Sequence, residues 1–320
     1  MGKPKYILIV RHGESEGNCD KSVNRYTPNH LVQLTENGHF QALAAGQVLR
    51  KFLQDESFVN NCMNEKRNPL SIMFYTSPYL RTRQTCNNII EGIKDLPGVE
   101  YEVREEPRMR EQDFGNFQGS AEEMEKMWQE RATYGHFFYR IPHGESAADV
   151  FDRVASFNES LFRQFRMENF PNVLVLVSHG IWSRVFLMKW FKWSYEEFES
   201  LKNIPHCQFL VMKKNKDTQK FNLKTPLLTW DDIEEEDIDE EVSKEIGDAL
   251  GINQEDLDIS MIVRAQRDAI KSTRDKNKQI QEMYAKIKEG SKSKYADKII
   301  SRFKYDNQSV VNSEEELHNH

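Results

Sequence analysis

The sequence predicts an α/β protein whose strands are buried on both faces and end in polar chemistry. Two apolar runs, Tyr6 to Val10 and Asn172 to Val177, are rich in Val, Ile and Leu and carry no charge. Such runs mark strands covered by helices on both sides of a sheet. Each turns polar abruptly, into Arg11-His12-Gly13-Glu14 and into Ser178-His179-Gly180. The carboxyl edge of a parallel sheet is where open α/β folds bind ligands. Between the two runs, helical and strand patterns alternate, as βα units require.

The elements follow in order. After the first strand comes a polar loop through Asn18, Arg25, Tyr26 and His30, and then a helix with Thr35 as N-cap. Its apolar face is read as Phe40, Leu43, Ala44, Val48, Leu49 and Phe52. A loop from Asn60 to Pro69 leads to a buried strand, Ser71 to Tyr75, which ends in Thr76-Ser77-Pro78-Tyr79-Leu80-Arg81. Pro78 suits a first helical turn, and an arginine beside a helix N-terminus suits an anion. A third strand, Val99 to Arg104, precedes a loop that places Glu111 or Asp113 in a site. Helices are expected from Ala121 to Ala132 and from Ala147 to about Met167, the latter with Val150, Val154, Phe157, Leu161 and Phe165 on its core face. The Ser178-His179-Gly180 ending is followed by a helix from Ile181 to Phe191 and a short one from Tyr195 to Leu201. Closing strands from Cys207 to Lys213 and Phe221 to Lys224 pair through a turn at Asn215.

Charge divides the chain. Residues 231–258 hold 14 acidic residues against one lysine, and residues 259–304 hold 13 basic against five acidic. Residues 1–230 are left close to neutral, so there is no electrostatic case for nucleic acid as their partner. The expected boundary therefore separates a catalytic domain, 1–230, from a charged, partly helical or disordered C-terminal extension, 231–320, with a protein partner as its candidate role. Four cysteines, Cys19, Cys62, Cys86 and Cys207, form no paired motif, which suits a reducing compartment. Tyr6 to Val10 is too short for a signal sequence, and no apolar run approaches a membrane span. The expectation is a cytoplasmic protein without membrane insertion.

Arg11-His12-Gly13-Glu14, the Ser77 to Thr85 segment, Glu111 with Phe114-Gly115, Gly144-Glu145-Ser146 and Ser178-His179-Gly180 come in an order that resembles the histidine phosphatase superfamily, in its phosphoglycerate-mutase-like branch. The resemblance covers about residues 4–224. It implies a three-layer α/β/α fold with a mostly parallel sheet, a phosphohistidine intermediate, no metal and no other cofactor. Carried over by position, His12 is the nucleophile, Arg11, Arg81 and His179 surround the phosphoryl group, and Asn18 hydrogen-bonds it. Glu111 protonates the leaving group and then activates water. Ser15, Glu145 and Ser146 are supports.

Glycolytic mutases of the family carry an aromatic-Ser/Thr-Gly-Trp element shortly after the asparagine. Here that stretch is Val23 to His30 and contains no Gly-Trp. The Tyr-Thr-Pro-Asn-His version resembles fungal broad-range acid phosphatases instead. The expected activity is thus metal-independent hydrolysis of small phosphate monoesters, broad in range and favoured by acid. The alternatives are a phosphoglycerate mutase-type phosphotransferase and a catalytically silent binding protein built on the phosphatase fold.

Overall fold

The computed structural model describes residues 2–20, 22–55, 70–115, 121–167 and 169–229. Its centre is a six-stranded sheet of order β3-β2-β4-β1-β5-β6. The strands are β1 (Tyr6–Arg11), β2 (Leu70–Thr76), β3 (Val99–Glu105), β4 (Val173–Ser178), β5 (Phe209–Lys214) and β6 (Phe221–Leu223). The first four run parallel. β5 runs antiparallel to β1, and β6 antiparallel to β5. The sheet is mostly parallel, as expected.

Strand alternation builds two cores. Tyr6, Leu8 and Val10, with Val173, Val175 and Val177, face α3 (Glu36–Gln54) and α4 (Leu80–Glu91). Ile7, Ile9, Leu174 and Leu176 face α6 (Ala147–Gln164) and α7 (Gly180–Phe191). Every residue of β4 is buried, which accounts for its uninterrupted apolar sequence. Helices on both faces of one sheet make three layers. Two short helices, α1 (Glu16–Cys19) and α2 (Val23–Tyr26), occupy the stretch read as a polar loop. α5 (Ala121–Tyr134) and α8 (Tyr195–Ser200) are the remaining α-helices among the described residues. Among the described residues no helix is long and apolar enough to cross a membrane.

The edge strand β3 is largely exposed and carries Glu100, Glu102 and Arg104, charges that discourage pairing with a further strand. The antiparallel turn at Asn215 forms as expected, with Asn215 Oδ1 accepting from the N–H groups of Asp217 and Thr218, both at 2.9 Å.

Two readings need correction. Thr35 does cap α3, accepting from Gly38 N–H at 3.0 Å, but Phe40 and Leu43 lie on its exposed side. The buried side is Gln41, Ala42, Ala44, Ala45, Val48, Leu49 and Phe52, where small residues let the helix approach closely. Pro78 lies just outside α4, whose N-cap is Tyr79, while Arg81 does fall in the first turn. Beyond the last strand, residues 225–229 stay attached to the sheet. Thr225 is buried, its hydroxyl accepting from Val211 N–H at 2.9 Å, and Lys202 N–H donates to Leu228 O at 2.8 Å. The loop from Asn60 to Pro69 and the extension from residue 231 lie outside the described residues.

Candidate active site

β2, β4 and β1 are neighbours and parallel, so their carboxyl ends share one edge of the sheet. The chain leaves each end with a polar group: His12 after β1, Ser77 to Arg81 after β2, His179 after β4. Backbone bonds carry the sheet register one residue further, from His12 N–H to Ser178 O at 2.9 Å and from Ser77 N–H to Val177 O at 3.0 Å. The site therefore rests on the hydrogen-bonded, buried centre of the sheet.

Two glycines admit this geometry. A Cβ on Gly13 would run into Gly38 O, and one on Gly38 into Glu14 O, so the loop after β1 meets the start of α3 backbone to backbone. Thr35 N–H donates to Glu14 O at 3.0 Å, and Gly13 N–H to Thr85 Oγ1 at 3.0 Å.

His12 is 4% exposed, and its partners select one tautomer. Nδ1 lies 2.7 Å from Gly13 O, and a carbonyl can only accept, so Nδ1 carries the proton. Arg81 Nε–H can only donate, and it lies 3.3 Å from Nε2, so Nε2 offers a lone pair. Burial, then the positive charge of Arg81 and the neighbouring His179, His206 and Arg11, hold the pKa of His12 well below the ordinary imidazole range. The ring is a neutral base whose lone pair points toward a cation.

Arg81 is itself buried, and burial brings its pKa down to about 10, against the pull of Glu111 and Tyr79. It remains a cation at neutral pH. Its Nη1–H donates to Asn29 O at 2.7 Å, and its guanidinium lies 5.0 Å from the centre of the Tyr79 ring. Arg11 Nη1–H donates to Ile204 O at 2.7 Å. Each guanidinium is thus oriented by a loop carbonyl. His179 is fully buried, with its ring 5.2 Å from that of His12 and its Nε2 2.9 Å from Ser77 Oγ. Burial first, then Arg81, Arg153 and Arg11, depress its pKa as well.

Glu111 reaches the same edge from the loop after β3. Its Oε1 accepts from Trp182 N–H at 3.2 Å and Gln112 N–H at 3.0 Å, and its Oε2 from Ile181 N–H at 3.4 Å. The carboxylate is seated on the first turn of α7, directly after His179, where helix N–H groups favour an anion. Between the two carboxylates left open by the sequence, the helix seat belongs to Glu111. Asp113 is exposed and accepts from Gly115 N–H at 2.8 Å. Asn18 is not brought to the histidines by any contact among the described residues. Its Oδ1 accepts from the N–H of Ser15 at 3.0 Å and from its hydroxyl at 2.7 Å, closing a capping box on α1.

The family model of the histidine phosphatase superfamily (branch 1) matches residues 7–225. The chain belongs to the histidine phosphatase superfamily. It is 40% identical over 308 residues to the broad-range acid phosphatase DET1 of Saccharomyces cerevisiae, covering 72% of this chain and 92% of that protein. It is 47% identical over 218 residues to the phosphoglycerate mutase-like protein AT74H of Arabidopsis thaliana, covering 66% and 74%. Among solved structures, mycobacterial hydrolase 1 superposes with a TM-score of 0.50 at 21% identity, over 71% of this chain and 100% of that one, a likeness of fold.

In this histidine phosphatase, several residues join the site that the sequence reading did not single out. His206 Nδ1 lies 2.7 Å from His12 O, with the two rings 5.5 Å apart. The Tyr79 ring lies 5.0 Å from the Arg81 guanidinium and 5.1 Å from the His179 ring. The signal for His206 was topological. A strand antiparallel to β1 begins at the edge where β1 ends, so the residues before β5 arrive at the site.

Proposed function

We propose that this phosphatase hydrolyses small phosphate monoesters through a phosphohistidine formed on Nε2 of His12. The observation that carries this reading is the fixed tautomer: Nδ1–H is spent on Gly13 O, and Nε2 presents its lone pair beside the Arg81 cation. Nε2 attacks phosphorus while the bond to the ester oxygen breaks, and the Glu111 carboxyl gives its proton to the departing alkoxide. Water then attacks the phosphohistidine, Glu111 takes its proton, the N–P bond breaks and inorganic phosphate leaves. Arg11, Arg81 and His179 stabilise the charge spread over the transferring phosphoryl oxygens, and Asn18 would contribute its Nδ2 donor. Two guanidinium groups supply the positive charge that a metal ion gives in other phosphatases, which supports a metal-independent reaction.

A preference for acid follows from the same geometry. A nucleophile whose pKa is held low by burial and cations keeps its lone pair at mildly acidic pH. The name of the yeast relative, a broad-range acid phosphatase, agrees with this choice. We assign the chemistry to residues 1–230, in the cytoplasm, and leave the charged extension 231–320 to a protein partner.

The test is His12→Ala, assayed with 4-nitrophenyl phosphate and for a trapped, acid-labile phosphoenzyme. Turnover and phosphoenzyme are both expected to vanish, and wild-type activity to survive EDTA. Loss of wild-type activity in EDTA, restored by a divalent ion, would refute metal independence. Transfer between phosphoglycerates faster than phosphate release would favour a mutase.

A further inference from the structure

We propose that Arg153 is a positioning residue for Glu111, setting the leaving-group proton donor through the backbone of the loop that carries it. The inference rests on the general-acid reading of Glu111 and extends it to a residue that touches no reacting atom.

Arg153 lies in the middle of α6, with a side chain only 9% exposed. It makes five hydrogen bonds. Nε and Nη2 donate to Glu145 Oε1 and Oε2 at 3.1 and 3.0 Å, Nη1 donates to Arg108 O and Arg110 O at 2.8 and 2.7 Å, and Nη2 also donates to Glu111 O at 3.0 Å. One planar guanidinium thus holds three carbonyls of the Glu111 loop. The remaining carbonyl of that run, Met109 O, accepts from Ser178 Oγ at 2.8 Å, at the end of β4.

Glu145 completes the device. Its carboxylate also accepts from Arg110 Nη2–H at 2.6 Å and Asp113 N–H at 3.0 Å. Its backbone pairs with the same loop, N–H to Asp113 O at 2.7 Å, and its carbonyl accepts from Gln112 Nε2–H at 2.7 Å. Residues on both sides of Glu111 are therefore tied to one buried ion pair, while the Glu111 carboxylate is held separately by α7.

An arrangement serving only stability would not need to grip the carbonyls on both sides of one acid. A lysine would keep the charge opposite Glu145 but could not reach three carbonyls and a carboxylate in fixed geometry. A general acid tolerates little displacement, since proton transfer needs hydrogen-bond distance in the transition state.

The experiment compares Arg153→Lys, Arg153→Met, Glu111→Gln and the double variant Glu111→Gln/Arg153→Lys in the full chain. kcat/KM is measured with 4-nitrophenyl phosphate, whose leaving group departs without a proton, and with glycerol 2-phosphate, whose alkoxide needs one. Glu111→Gln should lose about 10²-fold or more on the alkyl ester and far less on the aryl ester, the range of general-acid help. Arg153→Lys should show the same bias, about tenfold or more, with an unchanged circular dichroism spectrum, and Arg153→Met a larger one. The double variant should be no worse on the alkyl ester than Glu111→Gln. Equal losses on both esters in Arg153→Lys, or multiplying losses in the double variant, would overturn the positioning role. Equal losses in Glu111→Gln would instead overturn the general-acid reading beneath it. Should Arg153→Met fail to fold, Arg153→Lys still decides.

Discussion

Removing the charge of Arg81 while keeping its bulk, as in Arg81→Met, should separate two effects that the proposed mechanism assigns to one side chain. The first is stabilisation of the transferring phosphoryl group. A unit charge about 4–5 Å from a phosphoryl oxygen, at an effective dielectric near 20, is worth roughly 3–4 kcal/mol. That corresponds to about 10²–10³ in kcat/KM, in line with the loss of one oxyanion donor elsewhere. The second is the nucleophile's protonation. Burial is the main cause of the low His12 pKa and persists in the variant, but Arg81 is the next largest and is lost. The His12 pKa must then rise, so the acid limb of kcat/KM moves to higher pH. The assay is a kcat/KM profile with 4-nitrophenyl phosphate from about pH 4 to 8. A loss under tenfold, or an unmoved acid limb, would refute the placement of Arg81 against Nε2.

Two further predictions concern stability. A chain ending at Trp230 should keep the activity of the full chain. One ending at Lys224 orphans the buried Val211 N–H, at about 1–3 kcal/mol, and removes the packing of Leu227 and the Lys202 to Leu228 bond. A drop in melting temperature of roughly 5–10 °C is expected for the shorter chain, and equal stability of the two would refute the closure by residues 225–229. His12, His136 and His179 are all buried with pKa values held well below the ordinary range, chiefly by burial. In the unfolded chain they bind protons as pH falls below about 6.5, while the folded protein does not. Stability is therefore fully present above that pH and lost below it, by up to about 1.4 kcal/mol per pH unit for each histidine. Thermal melting between pH 7.5 and 5 should show the fall, and a flat profile would refute neutral burial of these rings.

What could be read from the sequence follows from which forces leave a pattern there. β1 and β4 are buried on both faces, so burial writes itself as an unbroken apolar run, and the polar residues that end each run mark the sheet edge. The buried side of α3 leaves a weaker trace, because close approach to Gly13 and to α4 demands small residues. Gln41, Ala42 and Gly46 carry little hydropathy signal, and Phe40 and Leu43 drew the eye to the exposed side. Asn18 was placed by likeness of order, yet local capping governs where its amide oxygen goes. Arg153 was invisible for another reason: an arginine within an amphipathic helix reads as a solvated face, and only the folded loop shows three carbonyls waiting for it.

The site gathers Arg11, Arg81, His12, His179 and His206 at one edge, and like charges so placed compete. Protonating either buried histidine would add a cation beside Arg81, at a cost that burial enlarges, so both rings stay neutral and the arginines carry the charge. That division of labour is what nucleophilic catalysis on phosphate requires. A protonated His12 would attract phosphate and be unable to attack it, whereas a neutral ring without neighbouring cations would face an anion that it had no means to hold. Binding a phosphoryl group supplies the missing negative charge and relieves the repulsion among the cations. In the proposed mechanism, the same cations that keep His12 neutral stabilise the charge that develops when Nε2 attacks. The sheet edge provides the one thing this balance needs, rigid spacing: Arg81 Nε and His12 Nε2 are carried by α4 and the end of β1, and β2, which leads into α4, is separated from β1 only by fully buried β4.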